Sequence, residues 1–170
     1  MIRAFFSEKS GREAAYRLLA RAVEDVYGVP CPEIEKDEHG KPRFPARPEI
    51  HFSPSHTAGL VLAVVGDRPC GCDAEPLARP VRPSVAARVC TPEELAEFTF
   101  LELWTLKESF FKVRGTLPYP FYEARFSRAG GAVLTPDPLL HARLYPLGPW
   151  VAAVCAEGEL PSEILPVPHI

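Results

Sequence analysis

Two neighbouring stretches of sequence give the clearest strand pattern of the chain. Residues 60–65 read Leu-Val-Leu-Ala-Val-Val, and residues 70–75 read Cys-Gly-Cys-Asp-Ala-Glu. The first is an uninterrupted apolar run rich in β-branched residues, which is typical of a buried strand. Residues 66–69, Gly-Asp-Arg-Pro, predict a turn. The second stretch is therefore predicted to be a strand that returns antiparallel to the first.

Two long helical patterns flank this pair of predicted strands. Apolar residues recur at intervals of three and four over residues 13–27, and Gly28 ends the pattern. Residues 100–113 form a second, more apolar pattern that ends at Gly115. We expect both to be helices that pack against sheet.

The rest of the chain is predicted to form short elements. Short helices are expected at residues 84–89 and after Thr91, where Glu94 completes a capping box. A hairpin turn is expected at residues 128–131. Further strands are predicted at residues 3–6, 50–53, 122–127, 132–134, 142–145 and 150–156. This order of elements predicts an α+β fold, with helices packed on antiparallel sheet.

Composition excludes several classes of protein. The chain has 170 residues, of which 46% are hydrophobic and 24% are charged, and a formal net charge of -3. This predicts one globular domain and argues against nucleic acid as the main partner. The longest apolar run is far too short to span a membrane, and the first residues contain no signal-peptide core. We therefore expect a cytoplasmic protein whose five cysteines are thiols.

The acidic pair in residues 70–75 is the first candidate site. Asp73 and Glu75 are two residues apart on a predicted strand, so their side chains project from the same face. Two neighbouring carboxylates repel each other, and Mg²⁺ is a natural cation to neutralise them. The alternative is a pair of solvated acids on a surface strand.

The second candidate site lies on the helix over residues 100–113. Trp104, Glu108 and Lys112 follow one another at intervals of four, so they share one stripe of the helix. An exposed Glu–Lys pair is the simpler interpretation. The apolar residues around them leave little of this helix free to face water, which favours charged groups that converge on a site.

The third candidate is the sequence Ser53-Pro-Ser55-His56. A hydroxyl, backbone amides and an imidazolium at this point would suit a phosphate group. A histidine that is satisfied within a loop is the alternative. Nucleophilic hydrolysis by a Ser–His pair is disfavoured, because the sequence lacks the Gly-x-Ser-x-Gly elbow.

Taken together, these motifs resemble a known family. In order along the chain they are Gly40-Lys41-Pro42, residues 52–56, residues 71–75, and residues 104–112 followed by Gly115. This set resembles the 4′-phosphopantetheinyl transferases of the surfactin-synthetase-activating type. The family's signature is a Gly-hydrophobic-Asp-hydrophobic-Glu strand followed by a Trp-x-x-Lys-Glu-x-x-x-Lys helix. The resemblance covers residues 40–127, and residues 150–156 resemble the family's closing strand.

The resemblance implies a fold and an activity. The implied fold has two α+β halves related by a pseudo-two-fold axis, here residues 1–75 and 76–170, in a single catalytic unit over residues 1–170. The implied enzyme transfers the phosphopantetheine arm of coenzyme A to a serine hydroxyl of an acyl or peptidyl carrier protein and releases 3′,5′-ADP. It would act as a monomer, in fatty-acid, polyketide or nonribosomal-peptide biosynthesis.

The resemblance also implies the site residues. Mg²⁺ would be held by Asp73, Glu75 and Glu108. Glu108, directly or through a water molecule, would take the proton from the carrier serine, and Lys112 would stabilise the phosphate charge. The residues implied to bind coenzyme A are Arg12, Lys41, Pro42, Ser55, His56, Asp73 and Lys112.

The sequence departs from the family pattern at three places. Cys72 and Ala74 replace the usual Ile or Val between the acids, on the face opposite to them. Ser53-Pro54 replaces an Asn–aliphatic pair. The family usually has about 40 further residues at the amino end, with basic side chains for the 3′-phosphate, so weaker binding of coenzyme A is expected. Glu94 matches an acid found in the family, and a capping box explains it equally well.

Three other interpretations stay open. A degenerate family member would bind coenzyme A or a carrier protein without transfer. A different Mg²⁺-dependent phosphotransferase or pyrophosphohydrolase would need no carrier. A zinc-binding module would use cysteines such as Cys70, Cys72 and Cys90, although their spacing is poor for zinc. A carrier would favour a basic patch, for which the candidate residues are Arg79, Arg82, Arg88 and Arg114.

Overall fold

The chain folds into two sheets with a long helix on each. The computed structural model describes residues 1–116 and 120–170. The helices are α1 (Arg12–Tyr27), α2 (Pro83–Val89), α3 (Pro92–Glu97) and α4 (Phe100–Arg114). The strands are β1 (Ile2–Ser7), β2 (Glu35–Lys36), β3 (Pro42–Arg43), β4 (His51–Thr57), β5 (Leu60–Gly66), β6 (Cys70–Pro76), β7 (Ser127–Ala129), β8 (Ala132–Leu134), β9 (Leu140–Leu147), β10 (Trp150–Glu157) and β11 (Leu165–Pro166).

The pairing of the strands is mostly antiparallel. The first sheet has the order β11-β1-β5-β4, and the second has the order β6-β10-β9-β8-β7. Strands β2 and β3 form a small hairpin outside both sheets. The parallel pair is β1 with β11, which returns the end of the chain to the first sheet. The predicted α+β class is confirmed.

The predicted hairpin between residues 60–65 and 70–75 is wrong. Strand β5 already pairs with β1 on one side and β4 on the other, so no edge is free for β6. Strand β6 pairs instead with β10 in the second sheet. The chain thus passes from the first sheet to the second between Gly66 and Cys70. A short turn favours a hairpin when both strands have a free edge, and the local sequence does not show that β1 and β4 occupy the edges of β5.

The predicted strand over residues 122–127 is also wrong for most of its length. Residues 121–123 form a 3₁₀ turn, and the strand begins only at Ser127. Ala124 and Phe126 are buried, which explains the apolar pattern. The backbone amide of Phe126 donates to the carboxylate of Glu94 at 3.0 Å rather than to a neighbouring strand.

The helices begin and end where local chemistry predicts. Helix α3 starts with the capping box of Thr91 and Glu94, and α4 with a second one formed by Thr99 and Glu102. Both long helices end at a left-handed glycine, Gly28 and Gly115. Within the described residues, no helix has the length and apolar character needed to cross a membrane.

Three apolar clusters hold these elements together. One lies between α1 and the first sheet, and another lies between α4 and the second sheet. The third draws from both sheets and includes Leu62 and Val64 of β5 with Cys72 and Ala74 of β6. Cys72 and Ala74 therefore lie on the core face of β6, as predicted. Because the sheets share this cluster, neither half can keep its core without the other.

The two sheets also meet along their edges, where β4 lies beside β6. We call this line the seam. No backbone ladder joins β4 to β6 in the described sheets, and side chains bridge them instead. The Ser53 hydroxyl accepts from the backbone amide of Cys72 at 3.3 Å, and the Cys72 thiol donates to the carbonyl of Ser53 at 3.0 Å.

Gly71 lets α4 approach β6 closely. A β-carbon at this position would collide with the backbone carbonyl of Ser109 and would lie 2.8 Å from the amide nitrogen of Val113. We expect Gly71→Ala to destabilise the protein by about 3 kcal/mol, because helix backbone must move to admit a methyl group. The free energy of unfolding in urea tests this.

Gly148→Ala is the matched control for this substitution. Gly148 has a φ of 60°, and a β-carbon there meets no atom within 4 Å. Its cost should be about 1 kcal/mol, from the left-handed backbone alone. Equal losses in the two variants would contradict the close approach at Gly71.

Candidate active site

A cleft of about 480 Å³ opens at the seam. Its walls come from the start of α1, the β2–β3 hairpin, β4, β6 and the end of α4. The residues predicted to bind coenzyme A all line this cleft: Arg12, Lys41, Pro42, Ser55, His56, Asp73 and Lys112. They come from five elements that are far apart in sequence. Only the packing of the two sheets and both long helices brings them together.

Lys112 and Asp73 form the centre of the cleft. The Nζ atom of Lys112 lies 2.7 Å from Oδ1 of Asp73 and donates also to the carbonyl of Cys72 at 3.1 Å. The Ser55 hydroxyl donates to the same Asp73 oxygen at 2.8 Å and accepts from Lys112 at 3.2 Å. This network joins β4, β6 and α4 across the seam. It also means that the Ser55 hydroxyl is directed at Asp73.

The charge of Asp73 dominates the environment of Lys112. Burial alone would lower the pKa of Lys112, but the negative charge of Asp73 and the hydrogen bond between them raise this pKa above its usual value. Lys112 is therefore a fixed cation in the cleft. Its hydrogen bonds to Ser55, Cys72 and Asp73 hold this cation in place at the wall of the cleft.

Family comparison agrees with this arrangement. A model of the 4′-phosphopantetheinyl transferase superfamily matches residues 69–155, half of the chain. The chain belongs to this superfamily. The matched region includes β6 and α4, which carry Asp73, Glu75, Glu108 and Lys112.

Curated relatives support the same family. The 4′-phosphopantetheinyl transferase psf-1 of Bacillus pumilus is 31% identical over 166 residues, which cover 86% of this chain and 70% of the relative. Sfp of Bacillus subtilis strain 168 is 29% identical, over 78% of this chain and 66% of the relative. AcpT of Salmonella typhi is 33% identical, over 58% of this chain and 55% of the relative. The predicted family and its Sfp-like type are confirmed.

Two of the three acids predicted to hold Mg²⁺ have a raised pKa. Burial raises the pKa of Glu108, and the charges of Asp73 and Glu75 add to the effect. Burial and the charge of Asp73 likewise raise the pKa of Glu75. Partly buried carboxylates that lie near other acids form a donor set suited to a hard divalent cation.

The chain's own cations hold two of these acids. Asp73 pairs with Lys112, and Glu75 forms an ion pair with Arg79. Accordingly, no group of three His, Cys, Asp or Glu side chains over residues 1–116 and 120–170 is arranged around a common metal position. The donor set fits Mg²⁺ by its chemistry, and binding would require these two carboxylates to turn from their partners.

Lys41 lines the cleft and also contacts the end of α4. Its Nζ atom donates to the backbone carbonyl of Val113 in the last turn of α4. Its aliphatic stem lies against Gly115, and burial lowers the pKa of its ammonium group. Lys41 thus attaches the β2–β3 hairpin to the end of α4, while Pro42 and Gly40 line the cleft beside it.

Helix α4 is anchored on its other face by a buried ion pair. The Nζ atom of Lys107 lies 3.0 Å from the Glu94 carboxylate and donates to the carbonyl of Val89 at 2.8 Å. Glu94 also completes the capping box at Thr91. The capping-box interpretation of Glu94 is therefore confirmed, and Glu94 is not among the residues that line the cleft.

Sequence reasoning missed several residues of the cleft. Tyr16 lies one turn after Arg12, whose guanidinium sits 5.5 Å from the centre of its ring. The hairpin adds Lys36 and His39, and α4 adds Phe111. The spacing of Arg12 and Tyr16 was a usable signal. The hairpin residues gave none, because their region reads as a charged, proline-rich loop.

The four arginines that were candidates for a basic patch have different surroundings. Arg114 forms ion pairs with Asp137 and Glu157, so its charge is neutralised locally. Arg79 pairs with Glu75. Arg82 and Arg88 have exposed side chains at the start and end of α2. The five cysteines predicted to be thiols are free, and all except the half-buried Cys31 are buried.

The Lys112–Asp73 pair makes a testable contribution to stability. Asp73 is 7% exposed, so Lys112→Met leaves a covered carboxylate without its ammonium partner. We expect a loss of about 1–3 kcal/mol in the free energy of unfolding. The double variant Asp73→Asn/Lys112→Met removes both charges and should regain at least half of this loss. If the double variant is less stable than Lys112→Met, the pair is not the cause.

Ionised Glu108, unlike the Lys112–Asp73 pair, lowers the free energy of unfolding. A carboxyl group whose pKa is raised on folding binds protons more tightly in the folded state, so stability falls as pH rises above its ordinary pKa. In EDTA at pH 7.5, Glu108→Gln should therefore be more stable than wild type, by less than about 1 kcal/mol because Glu108 is partly solvated. The gain should vanish near pH 4. A gain that is independent of pH would contradict the electrostatic cause.

Proposed function

We propose that this protein transfers the 4′-phosphopantetheine arm of coenzyme A to a serine hydroxyl of an acyl or peptidyl carrier protein and releases 3′,5′-ADP. The observation that carries the proposal is the cleft at the seam. In a chain of this superfamily, it is lined by basic side chains and by the Lys112–Asp73 pair. Glu75 and Glu108 do not line the cleft, but the charges of Asp73 and Glu75 add to burial in raising the pKa of Glu108, as expected of neighbouring acids.

The charges of the cleft suit coenzyme A as substrate. Coenzyme A carries a 3′-phosphate at one end of its nucleotide and a pyrophosphate at the other. Arg12 and His56 are exposed residues of the cleft, and Lys112 is a half-buried one. We assign the 3′-phosphate to Arg12 and His56 and the pyrophosphate to Lys112. Lys41 and Pro42 would border the adenine ring.

The transfer is a substitution at phosphorus. The serine oxygen forms a bond to the phosphorus that bears the pantetheine arm, and the bond from this phosphorus to the bridging oxygen breaks. The bridging oxygen leaves with 3′,5′-ADP. Lys112 would stabilise the charge that develops on the pyrophosphate oxygens, because it is a preformed cation within the cleft.

The serine proton must be removed during this step. Glu108 is suited to accept it, directly or through water, because burial and neighbouring acids raise its pKa and so make its carboxylate a stronger base. The Glu108 side chain is half-buried, so its carboxylate keeps part of its surface accessible to solvent.

Mg²⁺ completes the proposal. Held by Asp73, Glu75 and Glu108, it would neutralise the pyrophosphate and orient it towards the serine. We further propose that the enzyme works as a monomer in the cytoplasm, where coenzyme A and carrier proteins meet. Its cysteines are free thiols, as expected in a reducing compartment.

Intact mass spectrometry tests the transfer. Apo carrier proteins from fatty-acid, polyketide and peptide synthesis are incubated with the protein, coenzyme A and Mg²⁺. At least one carrier should gain the mass of one phosphopantetheine arm, and EDTA should abolish the gain. Glu108→Gln should reduce the initial rate at least about 100-fold, the contribution typical of a general base.

Glu24→Gln is the matched control, because Glu24 is an exposed residue of α1 outside the cleft. It should keep the wild-type rate. If no carrier gains mass while coenzyme A still binds, the protein is a binding module of the same family rather than a transferase. If coenzyme A does not bind, the assignment of the cleft is wrong.

A further inference from the structure

Arg79 occupies a position between the acidic group and α4. Its guanidinium forms an ion pair with the carboxylate of Glu75, four residues earlier in the chain. The same guanidinium lies 5.3 Å from the centre of the Trp104 ring. The side chain of Arg79 is 39% exposed, whereas that of Glu75 is only 13% exposed. Glu75 is thus a mostly covered carboxylate whose charge is balanced by a more accessible cation.

The Trp104 ring gives the Arg79 guanidinium a second favourable contact. The ring contacts those of Phe100 and Phe121, each at a centroid distance of 5.9 Å and tilted by 36° and 58°. These two contacts restrict the ring that faces the guanidinium. Arg79 can therefore leave the carboxylate and keep a favourable contact, because guanidinium groups stack well on aromatic faces.

We infer that Arg79 is a built-in competitor of the divalent cation for Glu75, and that it sets the affinity of the acidic group for metal. The inference rests on the proposed function, since it takes Asp73, Glu75 and Glu108 as the metal ligands. Without metal, Arg79 and Lys112 balance the charge of the acids. When a divalent cation binds, the Arg79 guanidinium moves from Glu75 and stays over Trp104.

Arg79 and Lys112 differ in whether they line the cleft. Lys112 pairs with Asp73 but also lines the cleft, so its removal would disturb substrate binding together with metal binding. Arg79 does not line the cleft. The charges that act on Glu75 besides Arg79 are those of Asp73 and Lys112, and substitution of Arg79 leaves both in place. Arg79 therefore allows the competition to be tested separately from the chemistry.

The experiment measures Mn²⁺ binding to the full chain, with free Mn²⁺ followed by electron paramagnetic resonance at 0.15 M salt. Arg79→Met should lower the dissociation constant about two- to fivefold, as expected for the loss of a partly exposed ion pair that competes for the ligand. Arg79→Lys keeps the positive charge and should stay close to wild type. Glu108→Gln should weaken binding, which locates the ion at the acidic group.

Arg82→Met is the matched control. It removes the same charge from the same connecting segment, and the Arg82 side chain is exposed. It should change the dissociation constant for Mn²⁺ much less than Arg79→Met does. Thermal unfolding of each variant in EDTA checks that the chain remains folded.

The outcomes separate the inference from the proposed function. Equal dissociation constants in wild type and Arg79→Met would overturn the inference and leave the carrier assay unaffected. Equal gains in Arg79→Met and Arg82→Met, or in Arg79→Met and Arg79→Lys, would also overturn it, because the effect would not come from competition at Glu75. The absence of saturable Mn²⁺ binding in every variant would overturn both the inference and the proposed metal ligands.

Discussion

The contact of α4 with β6 is the constraint on which the rest of the structure depends. Gly71 has no side chain, so the backbone of α4 lies directly against β6. This approach places Lys112 within hydrogen-bond distance of Asp73, and Ser55 of the neighbouring sheet joins the same pair. One close packing contact thus fixes the cleft, closes the seam, and sets the distance between the cation and the acids.

The acids and cations of the site are balanced within the chain itself. Asp73 is paired with Lys112 and Glu75 with Arg79, while Glu108 has a raised pKa. Like charges that are held together under partial burial lower the stability of the folded state. Internal ion pairs reduce this cost. The proposed metal binding would open the same pairs, so the stability that they contribute would oppose it.

Helix boundaries and strand faces could be predicted from local sequence. Helix boundaries followed from the capping boxes and the terminal glycines, since each depends on residues within one turn. The opposite faces of β6 followed from the period of two along a strand. The partner of β6 could not be predicted, because it depends on whether both edges of β5 are already occupied. The strand predicted over residues 122–127 was wrong for a similar reason. Ala124 and Phe126 are buried against α4, and the Phe126 amide bonds to Glu94 rather than to a neighbouring strand.

The sequence by itself determined the family, the α+β class and the identity of the charged residues, because these depend on residue types at fixed spacing. The tertiary structure alone decided which of those residues meet. It brought Arg12, Ser55, Asp73 and Lys112 to one cleft and directed Lys41 to the end of α4. It also placed Arg79 between Glu75 and Trp104. Contacts between distant residues follow from the way sheets and helices pack, and spacing along the chain carries no record of that packing.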